Sequence, residues 1–103
     1  MDIIFQAHHA VISDRMRLRA ERAVRRTARK LSRAVDAVVR FERDGPISRV
    51  EILLHAPRHR DLIAEGRARY YGPALAAAVA KLDAQVVSQK RTPKARGRAL
   101  ARR

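Results

Sequence analysis

The sequence predicts an α+β domain of element order β-α-β-β-β-α, a two-layer sandwich in which a four-stranded sheet carries two helices packed on one face. Three observations lead there. Short segments alternate apolar and polar residues with the period of two that a half-buried strand requires. Two longer segments repeat apolar residues at intervals of three and four, and Gly, Pro and Asp punctuate the joins. At 103 residues, 47% of them hydrophobic, the chain has room for one core and not for two. A half-polar antiparallel sheet has one face to cover, and two amphipathic helices can cover it. A wholly helical chain would leave the period-two segments unexplained.

Asp2 to His8 reads as the first strand, with Ile3, Phe5 and Ala7 on one face and Asp2, Gln6 and His8 on the other, Ile4 interrupting the polar side. Ser13 is the expected N-cap of the first helix, with Asp14 in its first turn at the positive end of the helix dipole. Nothing in the sequence breaks that helix before about Arg33. Its apolar stripe is Met16, Ala20, Ala23, Val24, Thr27 and Leu31. The second strand runs from Ala37 to Arg43, alternating Ala37, Val39 and Phe41 against Val38, Arg40 and Glu42. Asp44-Gly45-Pro46 then turns the chain into a hairpin partner. That partner sets Val50, Ile52 and Leu54 against Arg49, Glu51, Leu53 and His55, and Pro57 ends it. The fourth strand spans about Leu62 to Tyr70, with Leu62, Ala64, Gly66 and Ala68 on one face. On the outer faces Glu42, Glu51 and Glu65 alternate with Arg40, Arg49 and Arg67, a pattern suited to cross-strand ion pairs. Gly72-Pro73 opens the second helix with Pro at its first position, Leu75, Val79, Leu82 and Val86 form its buried stripe, and Thr92-Pro93 ends it. The domain is expected over residues 1–91 and a basic, disordered tail over residues 92–103.

The formal net charge of +14 is not spread evenly. Between residues 13 and 33, nine basic residues face only Asp14 and Glu21, and residues 90–103 carry seven basic residues and no acid. Elsewhere the two signs cancel. A compositional drift toward Arg would have charged the middle of the chain as well, so the segregation points to a polyanionic partner. At about 100° per residue, Arg15, Arg19, Arg22, Arg26, Arg29, Lys30 and Arg33 fall on one arc of the first helix, roughly opposite its apolar stripe. Guanidinium groups are permanently charged planar forks that hold phosphate through paired hydrogen bonds, and this chain favours Arg over Lys. With two Phe, two Tyr and no Trp it lacks the aromatic platform of a single-strand binder, so a folded RNA read by shape and backbone fits best. Composition alone does not separate RNA from DNA or from an anionic membrane surface.

Several function classes drop out. Zero cysteines exclude a disulfide framework, thiol catalysis and thiolate metal sites. No run approaches the ~20 apolar residues of a membrane span, and Asp2 stands where a signal peptide would be basic, so a soluble, cytoplasmic protein is expected. His8 and His9 would point to opposite faces of a regular strand and so could not chelate together; His55 and His59 flank Pro57 without carboxylates placed by spacing. No phosphate-binding Gly loop, nucleophile elbow or metalloprotease spacing occurs. No enzyme, catalytic residue, metal, cofactor or small-molecule substrate is therefore expected.

Ala64-Glu65-Gly66, then Tyr70, then Lys81-Leu82-Asp83-Ala84-Gln85 resembles the ribosome hibernation-promoting factors, also known as ribosome-associated inhibitors or ribosomal subunit interface proteins. The N-terminus is similar too, a strand through Phe5 followed by Val11-Ile12-Ser13-Asp14 leading into a helix. The resemblance spans roughly residues 1–94 and rests on the order and spacing of motifs that are individually weak. Ala68 stands where the family usually has Asp, Gly72-Pro73 lengthens the approach to the second helix, and these 103 residues have no room for the long members' dimerisation domain, so a short form, or one with that domain missing, is expected. The resemblance implies a factor whose helices dock on small-subunit ribosomal RNA over the messenger and transfer RNA channel and inhibit translation under stress or in stationary phase. It places Arg19, Arg22, Arg26, Arg29, Lys30 and Arg33 of the first helix, and Lys81, Gln85, Gln89, Lys90, Arg91 and Lys94 at and after the second, on that RNA. Such a factor would have the small ribosomal subunit as partner, no membrane, and a monomeric state in isolation. The alternatives are a general double-stranded RNA module without ribosome specificity, and a regulator acting through protein partners or a membrane surface.

Overall fold

Strand alternation decides the architecture. A computed structural model describes residues 1–31, 36–57 and 60–101, with side chains through residue 89. The elements are β1 (Asp2–His8), α1 (Asp14–Ala28), β2 (Asp36–Asp44), β3 (Ile47–His55), β4 (Leu62–Ala68) and α2 (Tyr71–Ala101), in the predicted order. The four strands form one sheet in chain order, and both helices contribute to the single core on one of its faces. Ala37, Val39 and Phe41 of β2, Val50, Ile52 and Leu54 of β3, and Leu62 and Ala64 of β4 are buried there. Against them pack Ala20, Val24 and Ala28 of α1 and Leu75, Ala78, Leu82 and Val86 of α2.

The strand pairing and several element boundaries differ from the sequence expectation, β2 by one residue at each end. The sheet is mixed: β1 pairs parallel with β2, while β2–β3 and β3–β4 are antiparallel. Helix α1 returns the chain to the starting end of the sheet, and such a crossover makes its flanking strands parallel. The same crossover explains why α1 ends at Ala28 instead of about Arg33. Fifteen helical residues rise about 22 Å and seven strand residues span about 23 Å, so a longer helix would overshoot the start of β2. The last turn tightens instead, with Lys30 and Leu31 amides donating to the carbonyls of Thr27 and Ala28, and Leu31 drops into the core. Strand β4 ends at Ala68, because the Arg69 carbonyl accepts from the buried hydroxyl of Ser48 at 3.1 Å. Helix α2 begins at Tyr71, placing Pro73 third, still within the turn whose amides lack intrahelical partners. It continues through Thr92-Pro93 to Ala101, past the expected stop: Pro93 supplies no amide, but the surrounding Ala, Arg, Lys and Leu are strong helix formers.

Gly66 sets the distance of α2 from the sheet. A Cβ there would lie 2.0 Å from the Ala74 carbonyl oxygen and 2.6 Å from the Ala78 amide nitrogen, so the helix backbone rests directly on this strand residue.

Candidate nucleic-acid interface

Helix α1 turns its arginines in two directions. The Ser13 hydroxyl caps it as expected, accepting from the Met16 amide at 3.1 Å, and Ala20, Val24, Thr27 and Ala28 face the core. On the flank toward β1, Arg17 lies over the Phe5 ring at 5.3 Å, and Arg25 donates to Glu21 and to the Met1 carbonyl oxygen. These two arginines fasten the N-terminal strand. Arg15, Arg19, Arg22, Arg26 and Arg29 are all exposed on the solvent side, and among the described residues none has an acidic partner within ion-pair distance. A shallow hollow of about 390 Å³ between Arg15, Arg19, Arg22 and Arg26 lets several guanidinium groups approach one anionic surface.

A second feature was not legible in the sequence. Between α1 and α2 runs a groove of about 420 Å³, walled by Ala23 and Thr27 on one side and by Ala76, Val79 and Ala80 on the other. Arg19 and Arg26 stand at its rim, and Arg19 reaches across to the start of α2, where a Cβ on Gly72 would meet its guanidinium at 3.3 Å. Across the groove Lys30 is ion-paired with Asp83 of α2, so this predicted contact residue is already occupied. Val79, assigned from sequence to the buried stripe, is half-buried and lines the groove, while Ala74 and Ala78 join the core instead.

On α2, the predicted residues Lys81 and Gln85 do not join the arginine face. Gln85 Nε2 donates to the Ile63 carbonyl oxygen at 2.8 Å, covering a backbone acceptor of β4. Lys81, one turn earlier on the same side of α2, is exposed but faces away from α1. Gln89 is half-buried and engaged with neighbours. Arg33 lies outside the described residues, as do the side chains of Lys90, Arg91 and Lys94.

The open face of the sheet balances its own charge. Arg49, on the central strand β3, bonds Glu42 at 3.1 Å and Glu51 and Glu65 each at 2.9 Å, and Glu65 also takes Arg67. The expected cross-strand pairs thus converge on Arg49; Arg40 makes none of them and its buried Nε has no partner. The hydrogen bond from Arg49, then that from Arg67, pulls the Glu65 carboxyl down from 4.5 to about 2.

The rings of His8 and His9 do not point to opposite faces as expected but are stacked, with centroids 5.6 Å apart, because His9 leaves the strand at φ 54°. His55 pairs with Asp61 at 2.5 Å, and this hydrogen bond raises its pKa. His59 lies outside the described residues. Among the described residues no group of three or more His, Asp or Glu could hold a metal ion, and no helix is long and apolar enough to cross a membrane.

Comparison with known proteins sets this geometry in context. The profile of the family described as "Sigma 54 modulation protein / S30EA ribosomal protein" matches residues 3–94. Among solved structures, a ribosomal subunit interface protein from Coxiella burnetii superposes with a TM-score of 0.81 at 17% identity, covering 87% of this chain and 98% of the other, a likeness of fold. The N-terminal domain of Protein Y from Thermus thermophilus superposes with a TM-score of 0.74 at 25% identity, covering 84% of this chain and 96% of that one. No curated protein sequence matches the chain.

Proposed function

This chain belongs to the sigma 54 modulation protein / S30EA ribosomal protein family, and from that premise we propose that it is a non-enzymatic, cytoplasmic, ribosome-binding factor. It lays the exposed face of α1 on ribosomal RNA of the small subunit, occupies the channel used by messenger and transfer RNA, and inhibits translation under stress or in stationary phase. The observation that carries the reading is the set of five exposed arginines, Arg15, Arg19, Arg22, Arg26 and Arg29, none neutralised by an acidic neighbour among the described residues. Held on one rigid helix, they can replace several counterions at once along a phosphate backbone, which is where most nucleic-acid affinity originates.

Reversing Arg22, Arg26 and Arg29 to Glu tests it. All three side chains are exposed, so the fold is expected to survive while cosedimentation with small ribosomal subunits is lost. Undiminished cosedimentation would refute the reading. A general duplex-RNA module, which the charge by itself would also allow, would prefer free duplex RNA over an equal mass of small subunits in competition, whereas a ribosome factor prefers the subunits.

A further inference from the structure

The exposed surface of a helix ordinarily carries polar residues, yet Ala76 and Ala80 of α2 stand exposed beside the half-buried Val79 and Ala23. Together they make an apolar floor in a groove of about 420 Å³, within the range of ~300–1,000 Å³ typical of sites for small organic groups. Its rim is cationic. Arg19 and Arg26 lie two helical turns apart, about 10 Å along the axis of α1, and both line the groove. A surface built for phosphates alone has no use for an apolar floor, and an apolar peptide has no use for two guanidinium groups without acidic partners. The occupant these features fit is flat and apolar in one part and anionic in the other.

We propose that the groove between α1 and α2 accepts one unstacked nucleotide of a folded RNA, its base against Val79, Ala76 and Ala80 and its flanking phosphates on Arg19 and Arg26. The proposal rests on the RNA-binding reading above and refines it: the arginine face reads shape, and the groove adds a requirement for a nucleotide that the RNA fold has turned out. Unpaired bases in loops and bulges can be splayed out of the stack and received by a protein surface. The Lys30–Asp83 ion pair links the turn after α1 to α2 at one end of the groove.

The test compares two labelled RNA hairpins of equal nucleotide number, one fully paired and one with a single bulged guanosine, binding the full chain at one salt concentration by fluorescence anisotropy. The bulged hairpin is expected to bind about five- to tenfold more tightly, the effect of removing roughly 50 Å² of apolar surface from water. Ala80→Leu and, separately, Ala76→Leu fill the floor at exposed positions without changing charge; each should bring the bulged hairpin to the affinity of the paired one and leave the paired one unchanged. Equal binding of both hairpins by the unsubstituted chain would overturn the proposal, and so would a preference that survives both substitutions. Failure to cosediment with small subunits would instead remove the ribosome reading, and the hairpin comparison would still decide the groove.

Discussion

Arg49 gathers three carboxylates from three strands, and Glu65 receives two guanidinium groups, so the open face of the sheet holds a charge network at the scale of individual side chains. The low carboxyl pKa of Glu65 gives that network a pH signature. A carboxyl group that titrates near 2 when folded and near its ordinary 4.5 when unfolded contributes stability in full above the unfolded value. The contribution is lost as pH falls through the folded value, so the window lies between about pH 4.5 and pH 2. With Glu65 about one-third exposed, solvent screening limits the effect to about 1 kcal/mol. Glu65→Gln should therefore be less stable than the natural chain by about that amount at pH 6 in urea unfolding, with the gap closing toward pH 2. A gap independent of pH would show that the network does not stabilise the fold through this carboxylate. The alternation of Glu and Arg was readable in the sequence, but the choice of Arg49 over Arg40 as its centre was not. It follows from β3 lying between β2 and β4, which lets one residue reach carboxylates on both sides.

Between elements, the decisive contact is α2 on β4 through Gly66. With a Cβ at 2.0 Å from a helix carbonyl oxygen, neither neighbour can yield, because both are backbone. Gly66→Ala should cost about 3 kcal/mol or more, the upper range of overpacking, and lower the thermal midpoint accordingly. An unchanged unfolding temperature would mean that the α2 backbone does not rest on Gly66. The consequence reaches the candidate site, since lifting or rotating α2 alters the groove between Val79 and Ala23. The sequence contains Gly66 and its inward position, yet nothing local shows that a helix backbone, not a side chain, fills the space above it. Similarly, the Ser13 cap was evident from local chemistry, whereas the end of α1 depended on the length of the neighbouring strand.

Across the whole molecule the two signs of charge separate by face. Seven of the ten acids, Asp2, Asp36, Glu42, Asp44, Glu51, Asp61 and Glu65, lie on or beside the open side of the sheet, while the unpaired arginines of α1 lie on the helical side. Such a molecule is oriented by the field of a polyanion before contact, helices first. If Arg15, Arg19, Arg22, Arg26 and Arg29 each replace one counterion, the logarithm of the association constant with RNA should fall against the logarithm of salt concentration with a slope between about −3 and −5. Arg67→Gln, on the open face, should leave that slope unchanged; a slope near zero would mean that the arginine face is not the contact.

Periodicity and local charge are properties of neighbouring residues, so the strands, the capped start of the first helix, the two-layer α+β class and the shared exposure of Arg15, Arg19, Arg22, Arg26 and Arg29 were legible from the residues alone. Tertiary structure decided what depends on residues far apart in the chain: the parallel pairing of β1 with β2, the occupation of Lys30 by Asp83, the commitment of Gln85 to the edge of β4, and the groove itself. Each of these requires the separation of two packed elements, and that separation is set by what fits between them, a quantity no spacing along a single chain contains.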